Sequence, residues 1–158
     1  RYNREGGPDF TRFGLDPFWA GPRKRLLALP LSTAYTGRLR AGGRQLYRWA
    51  GEVRRTRALL ARTGLFARIP LTPEGVPAED AREAIRVLAG EGLGFFSLSF
   101  HSPSLEPGHT AYVRDAADLK VFYAWWDAVI AQFHQLGIRP MGAEQFVEMM
   151  WRARGAGA

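Results

Sequence analysis

The chain has no cysteine among its 158 residues. A disulfide framework, thiolate zinc fingers and cysteine nucleophiles are therefore excluded together. A cysteine-free chain is tolerated in any redox compartment, so this absence assigns none. Lysine is nearly absent too: Lys24 and Lys120 are the only two, and arginine carries almost all of a net charge of +7. No apolar run approaches the roughly 20 residues that a helix needs to cross a bilayer, so the expectation is a soluble chain without a membrane span. Glycine-rich phosphate loops are missing, since Gly6-Gly7 and Gly42-Gly43 are isolated pairs. Ser99, Ser102 and Ser104 lack the G-x-S-x-G turn that exposes a serine nucleophile. No repeat recurs at periods of about 20–50 residues.

The length fits one domain or a piece of one. The opening stretch from Arg1 to Phe10 is polar and turn-like, without the charged-then-apolar pattern of a secretory signal. It reads as a cut inside a longer chain. The basic balance fits an anionic partner or simply a solvated arginine-rich surface. A nucleic-acid surface asks for exposed aromatics among its basic residues. Trp49 instead follows the apolar stripe of the segment carrying Arg44, Arg48, Arg54, Arg55 and Arg62. Trp49 is expected to be buried, and no nucleic-acid partner is expected.

Apolar runs alternate with helical patterns. Residues 1–24 read as a loop broken by Gly and Pro and studded with Phe10, Phe13, Phe18 and Trp19. Leu26–Ser32 reads as a strand ended or edged by Pro30. A helix is predicted over 43–63, with Gly64 as its stop. Strand-like alternation follows over 66–71, and then a helix entered at Pro77 with the stripe Ala81, Ala84, Ile85, Leu88. The run 94–100 is aromatic-rich and nearly continuous, as in a strand covered on both faces. Asp115 is placed to cap a helix with the apolar positions Leu119, Phe122, Tyr123, Trp126, Val129, Ile130, Phe133 and Leu136. Ala143, Phe146, Val147 and Met150 mark a last helix. This order predicts an α/β fold with about three parallel strands.

In such folds functional groups gather where strands end. The run 94–100 delivers His101 into the loop Ser102-Pro103-Ser104-Leu105-Glu106-Pro107-Gly108-His109. Imidazole as a residue type exchanges protons near neutrality, which suits general acid or base work. Position alone leaves two readings open: a catalytic His101, or a histidine bonded to a neighbouring loop. His109 reads as an exposed turn residue and His134 as a helix-flank residue. Glu106, Asp115 and Asp118 are candidate carboxylates, but capping explains the two aspartates more simply. Trp125-Trp126 offers a sugar platform on one reading and core on the other. His101, His109 and Glu106 do not have the spacing of a known metal motif.

The run Leu98-Ser99-Phe100-His101-Ser102-Pro103-Ser104-Leu105-Glu106-Pro107-Gly108, followed by Tyr112-Val113-Arg114-Asp115, resembles the closing motif of polysaccharide deacetylases with the NodB-homology domain, in the subgroup described as WalW-like. Glu5–Phe10, Leu29-Pro30-Leu31 and Leu71-Thr72-Pro73-Glu74-Gly75 are also similar to that subgroup. The resemblance implies the C-terminal part of a distorted β/α barrel, and a parent enzyme that removes N- or O-acetyl groups from a polysaccharide or oligosaccharide. It implies a divalent metal, usually zinc, held by an aspartate and two histidines. The Thr-Phe-Asp-Asp-like and His-x-x-x-His-like motifs that supply them do not occur in this sequence, so no metal ligand is assigned. His101 matches the family's general acid, oriented by a carboxylate expected outside this chain. Leu98 matches the leucine of the acetyl-methyl pocket, and Phe100 stands beside it where an aliphatic residue is commoner. The compartment stays open, with a bacterial cytoplasm as the expectation. The alternative is a non-catalytic glycan-binding or scaffold module with a degenerate site.

Overall fold

The computed structural model describes residues 13–53 and 55–156. The Glu5–Phe10 motif and Arg54 lie outside the described residues. The fold is mixed α/β: the described residues form two short two-stranded sheets and five α-helices.

The first sheet is a hairpin of β1 (Phe18–Ala20) and β2 (Leu26–Ala28), with Trp19 opposite Leu27. Residues 18–20 are thus a strand where a loop is expected. The pairing extends their backbone, and Trp19 packs on Trp151 with ring centroids 4.3 Å apart. The expected strand over 26–32 stops at Ala28, just before Leu29-Pro30-Leu31. Proline cannot donate to a ladder, and a second strand, β3 (Thr33–Thr36), starts beyond it. This strand pairs antiparallel with β4 (Ala67–Pro70), with Tyr35 opposite Arg68.

The helix expected over 43–63 is two helices, α1 (Gly43–Glu52) and α2 (Thr56–Arg62), broken where Arg55 adopts φ 67°. The second helix folds back on the first. The Arg57 guanidinium donates to the Tyr47 carbonyl at 3.0 Å and lies 3.9 Å over the Tyr47 ring. It passes where a Cβ on residue 51 would stand, and residue 51 is glycine. The β1–β2 ladder is antiparallel because only residues 21–25 join its strands, and the break at Arg55 explains why the β3–β4 ladder is antiparallel too. One crossover helix returns the chain to start a parallel strand. A helical hairpin leaves the chain at the opposite end, so β4 runs against β3. Trp49, expected in the core, is 56% exposed, because the short α1 buries Ala50 instead. The burial used to exclude a nucleic-acid surface is therefore not observed.

The core forms around α3 (Ala78–Gly90), whose Ala81, Ala84, Ile85 and Leu88 are all buried. They pack on Ala34, Leu71, Trp125 and Val129. The stripe is the expected one, since positions spaced by three and four residues share a helix face. The long α4 (Ala116–Gln135) buries Phe122, Trp125, Val129 and Gln132. Its register is turned from expectation: Tyr123, Ile130 and Leu136 are exposed. Gln132 explains the turn, because its Oε1 accepts from Arg82 at 3.3 Å and Arg86 at 3.1 Å and ties this face to α3. The last helix, α5 (Ala143–Ala156), sets Phe146 against Phe95 at 4.6 Å.

Residues 94–100, expected as a strand, join no ladder. Ser32 is the reason. Its carbonyl accepts the Leu71 N–H, its hydroxyl accepts the Ser97 N–H, and its own N–H donates to Ser97 O. One further bond, from Ser99 N–H to Leu71 O at 3.1 Å, anchors the segment beside β4.

Candidate functional site

Two chain segments leave this junction at neighbouring points. One continues from Leu71 into the turn Thr72-Pro73-Glu74-Gly75, where Thr72 Oγ1 accepts the Glu74 N–H and Gly75 takes φ 79°, a left-handed conformation that favours glycine. The other continues from Ser99 to His101 and then into a 3-10 turn, Ser102–Leu105. Because Ser99 is bonded to Leu71, the residues two or three places further on meet. They are His101 and Glu74.

The Glu74 carboxylate receives three hydrogen bonds. Its Oε2 lies 2.6 Å from His101 Nδ1, and its Oε1 accepts the His101 N–H at 2.9 Å and the Ser104 hydroxyl at 2.6 Å. Ser104 is fully buried, and its Oγ lies 3.1 Å from Thr110 Oγ1, which accepts the Val113 N–H. The Glu74 side chain is only 5% exposed while that of His101 is 76% exposed. Burial pushes the Glu74 carboxyl upward. The bonds from Ser104 and from the His101 N–H and ring outweigh it, and the group is held below its ordinary value of 4.5.

This is a buried carboxylate presenting an exposed imidazole. The carboxylate occupies Nδ1 and fixes that nitrogen as the inner one, which leaves Nε2 to exchange a proton with anything that docks there. Ser104 is no nucleophile here, because its hydroxyl is bonded to the carboxylate rather than to the imidazole and is buried. A carboxylate bonded to the His101 ring, expected outside this chain, is present within it as Glu74. The sequence pattern showed Glu74 only as a turn residue. The available signal was positional: Leu71-Thr72-Pro73-Glu74-Gly75 ends one extended run as His101 ends the next.

The other candidates lie apart. Leu98 is partly buried and packs against the main core. Phe100 is 40% exposed and meets Phe122 and Trp126 edge-on, both at 5.6 Å. Trp125 is buried and Trp126 packs partly against the core, so neither face of the pair forms an open platform. His109 lies 3.7 Å from Glu106, both exposed, and His134 is on the exposed flank of α4. Asp115 caps α4 by accepting the Ala117 and Asp118 N–H groups, and Asp118 pairs with Arg114.

Among the described residues no three His, Asp or Glu side chains converge as a metal site would require. Glu74 is occupied by three donors of its own chain. The described residues do not fit a divalent metal. No described helix is long and apolar enough to cross a membrane. No protein-family model, curated protein or solved structure matches this chain.

Proposed function

We propose that this chain is the proton-donating part of a metal-dependent carbohydrate deacetylase, the C-terminal portion of a distorted β/α barrel, which hydrolyses N- or O-acetyl groups of a polysaccharide. The closing-motif likeness at 98–108 suggests the reaction, and one observation carries the chemistry: an exposed imidazole oriented through Nδ1 by the buried carboxylate of Glu74 at 2.6 Å. Acetyl hydrolysis adds water to the carbonyl carbon and breaks the C–N or C–O bond to the sugar. The departing amine or alkoxide needs a proton. His101 Nε2 supplies it, and Glu74 holds the ring in the orientation and tautomer for that transfer. In this reading metal ligands lie on residues other than those described. Leu98 and Phe100 would flank the acetyl group, close in sequence to the acid.

The test is acetate release from acetylated oligosaccharides by the parent protein that carries this chain. His101→Ala is expected to lower kcat by about 10²–10⁴-fold with little change in KM. Glu74→Gln is expected to lower kcat by less, because it misorients the acid without removing it. Acetate release unchanged in His101→Ala rejects the acid role. Glycan binding with no acetate release from any acetylated saccharide selects the non-catalytic binding module instead.

A further inference from the structure

A second feature lies along the β3–β4 ribbon and reaches Leu88 and Glu91 at the end of α3. Along β3 the side chains alternate, so Ala34 and Thr36 are buried while Thr33 and Tyr35 line a cleft of about 990 Å³. Arg68 belongs to the cleft face as the register partner of Tyr35. The start of α1 and the turn before it add Arg40 and Arg44, four residues apart and both lining the cleft. Facing them is an apolar wall of Phe13, Phe18, Leu29 and Leu31. The two phenylalanine rings are stacked at 4.3 Å, and Phe13, Leu29 and Leu31 are 45%, 48% and 56% exposed.

The composition of this cleft is two-sided. Arg40 and Arg68 stand with one carboxylate, Glu91, among the described lining residues. Among the described residues no carboxylate forms an ion pair with Arg40 or Arg68, and the nearest aromatic partner of Arg68 is the Tyr47 ring at 5.9 Å. Arginine forks match carboxylate and phosphate oxygens in bidentate geometry. Exposed leucine and phenylalanine side chains gain free energy when apolar surface covers them. A nucleic acid would use the guanidiniums but leave the aliphatic wall wet. An uncharged saccharide would leave the charge of the guanidiniums unmatched.

We propose that this cleft binds an amphipathic anion, a carboxylate or phosphate head on Arg40 and Arg68 with an apolar chain against Phe18, Leu29 and Leu31. The volume lies at the upper end of small-molecule sites, about 300–1,000 Å³. His101 is not among its lining residues. The site is therefore separate from the imidazole–carboxylate pair.

Isothermal titration with decanoate, monodecyl phosphate, 1-decanol and decyltrimethylammonium, each below its micelle concentration, tests this. Saturable binding of either anion at one site per chain is expected, about tenfold or more tighter than the alcohol or the cation. Decanoate against monodecyl phosphate separates a fatty-acid ligand from a phosphorylated one. Arg40→Glu and Arg68→Glu are each expected to weaken the anion about tenfold. Arg62→Glu, on α2 and outside the cleft, leaves it unchanged. Leu31→Ser weakens all chain-bearing probes alike. Should Arg68→Glu disturb the β3–β4 ladder, Arg40→Gln carries the comparison. Equal affinity for all four head groups, or anion binding untouched by the cleft arginines, overturns the proposal. His101→Ala leaves this binding as it is, so failure here and failure of the deacetylase reading are distinguishable.

Discussion

Glu74 and His101 form a hydrogen-bonded pair at 2.6 Å in which one side chain is 5% exposed and the other 76%. That asymmetry decides what each contributes. Glu74 is part of the interior and holds two extended segments together. His101 adds little burial and presents its ring to solvent.

Stability should therefore divide unequally between them. Glu74→Ala leaves the buried Ser104 hydroxyl and the His101 N–H without their acceptor, and is expected to cost about 1–3 kcal/mol. His101→Ala removes one exposed ring and is expected to cost about 1 kcal/mol or less. Urea midpoints of the two variants check the order, and a larger loss for His101→Ala contradicts it.

The same carboxylate makes stability depend on acid. Its folded value lies below the ordinary 4.5, so the unfolded chain takes up the proton first. The stabilisation is fully present above pH 4.5 and declines as pH falls below that value toward the lower folded one. Glu74→Gln should flatten this part of the stability profile. Asp118 is also lowered, through the Arg114 side-chain and backbone bonds, and acts in the same direction. Its partner Arg114 is exposed, so about 0.5 M salt should screen this part and leave most of the Glu74 part. Parallel acid profiles for wild type and Glu74→Gln would remove this assignment.

At the start of α4, Asp115 Oδ1 accepts two N–H groups, while Asp118 reaches back to the Arg114 N–H and guanidinium. The reciprocal bond of a capping box lands one residue before the cap. Asp115→Ala is expected to cost about 1 kcal/mol, and Asp118→Ala less, since its partner Arg114 is exposed and surface ion pairs contribute little. Thermal melts of the two variants rank them.

The α1–α2 hairpin depends on Arg57 lying across Gly51. Gly51→Ala displaces the guanidinium from Tyr47 but improves helix propensity by about 1 kcal/mol, so its net effect should be small. Arg57→Ala alone should destabilise by about 0.5–1.5 kcal/mol. In the Gly51→Ala background the same change should be silent, because the contact is already lost. A double-mutant cycle with no coupling rejects the contact.

In the core, Ile85 is fully buried against Leu71, Trp125 and Val129. Ile85→Ala is expected to cost about 2–5 kcal/mol, the largest loss of any change considered. Chemical denaturation with an unchanged m-value would measure it.

The sequence by itself determined the local features: the α3 stripe, the Asp115 cap and the stop at Gly64. These follow from periodicity, capping chemistry and glycine, which act over a few residues. The mixed α/β class was legible for the same reason. Only the tertiary structure decided strand direction, the turned register of α4 and the pairing of Glu74 with His101. The break at Arg55 reverses the chain between β3 and β4, Gln132 answers to arginines on another helix, and Ser32 takes the bonds that would have made 94–100 a ladder strand. Glu74 and His101 are separated by 27 positions in the chain. No local pattern brings them together; the Ser99–Leu71 bond does, because it holds two exits of the fold side by side.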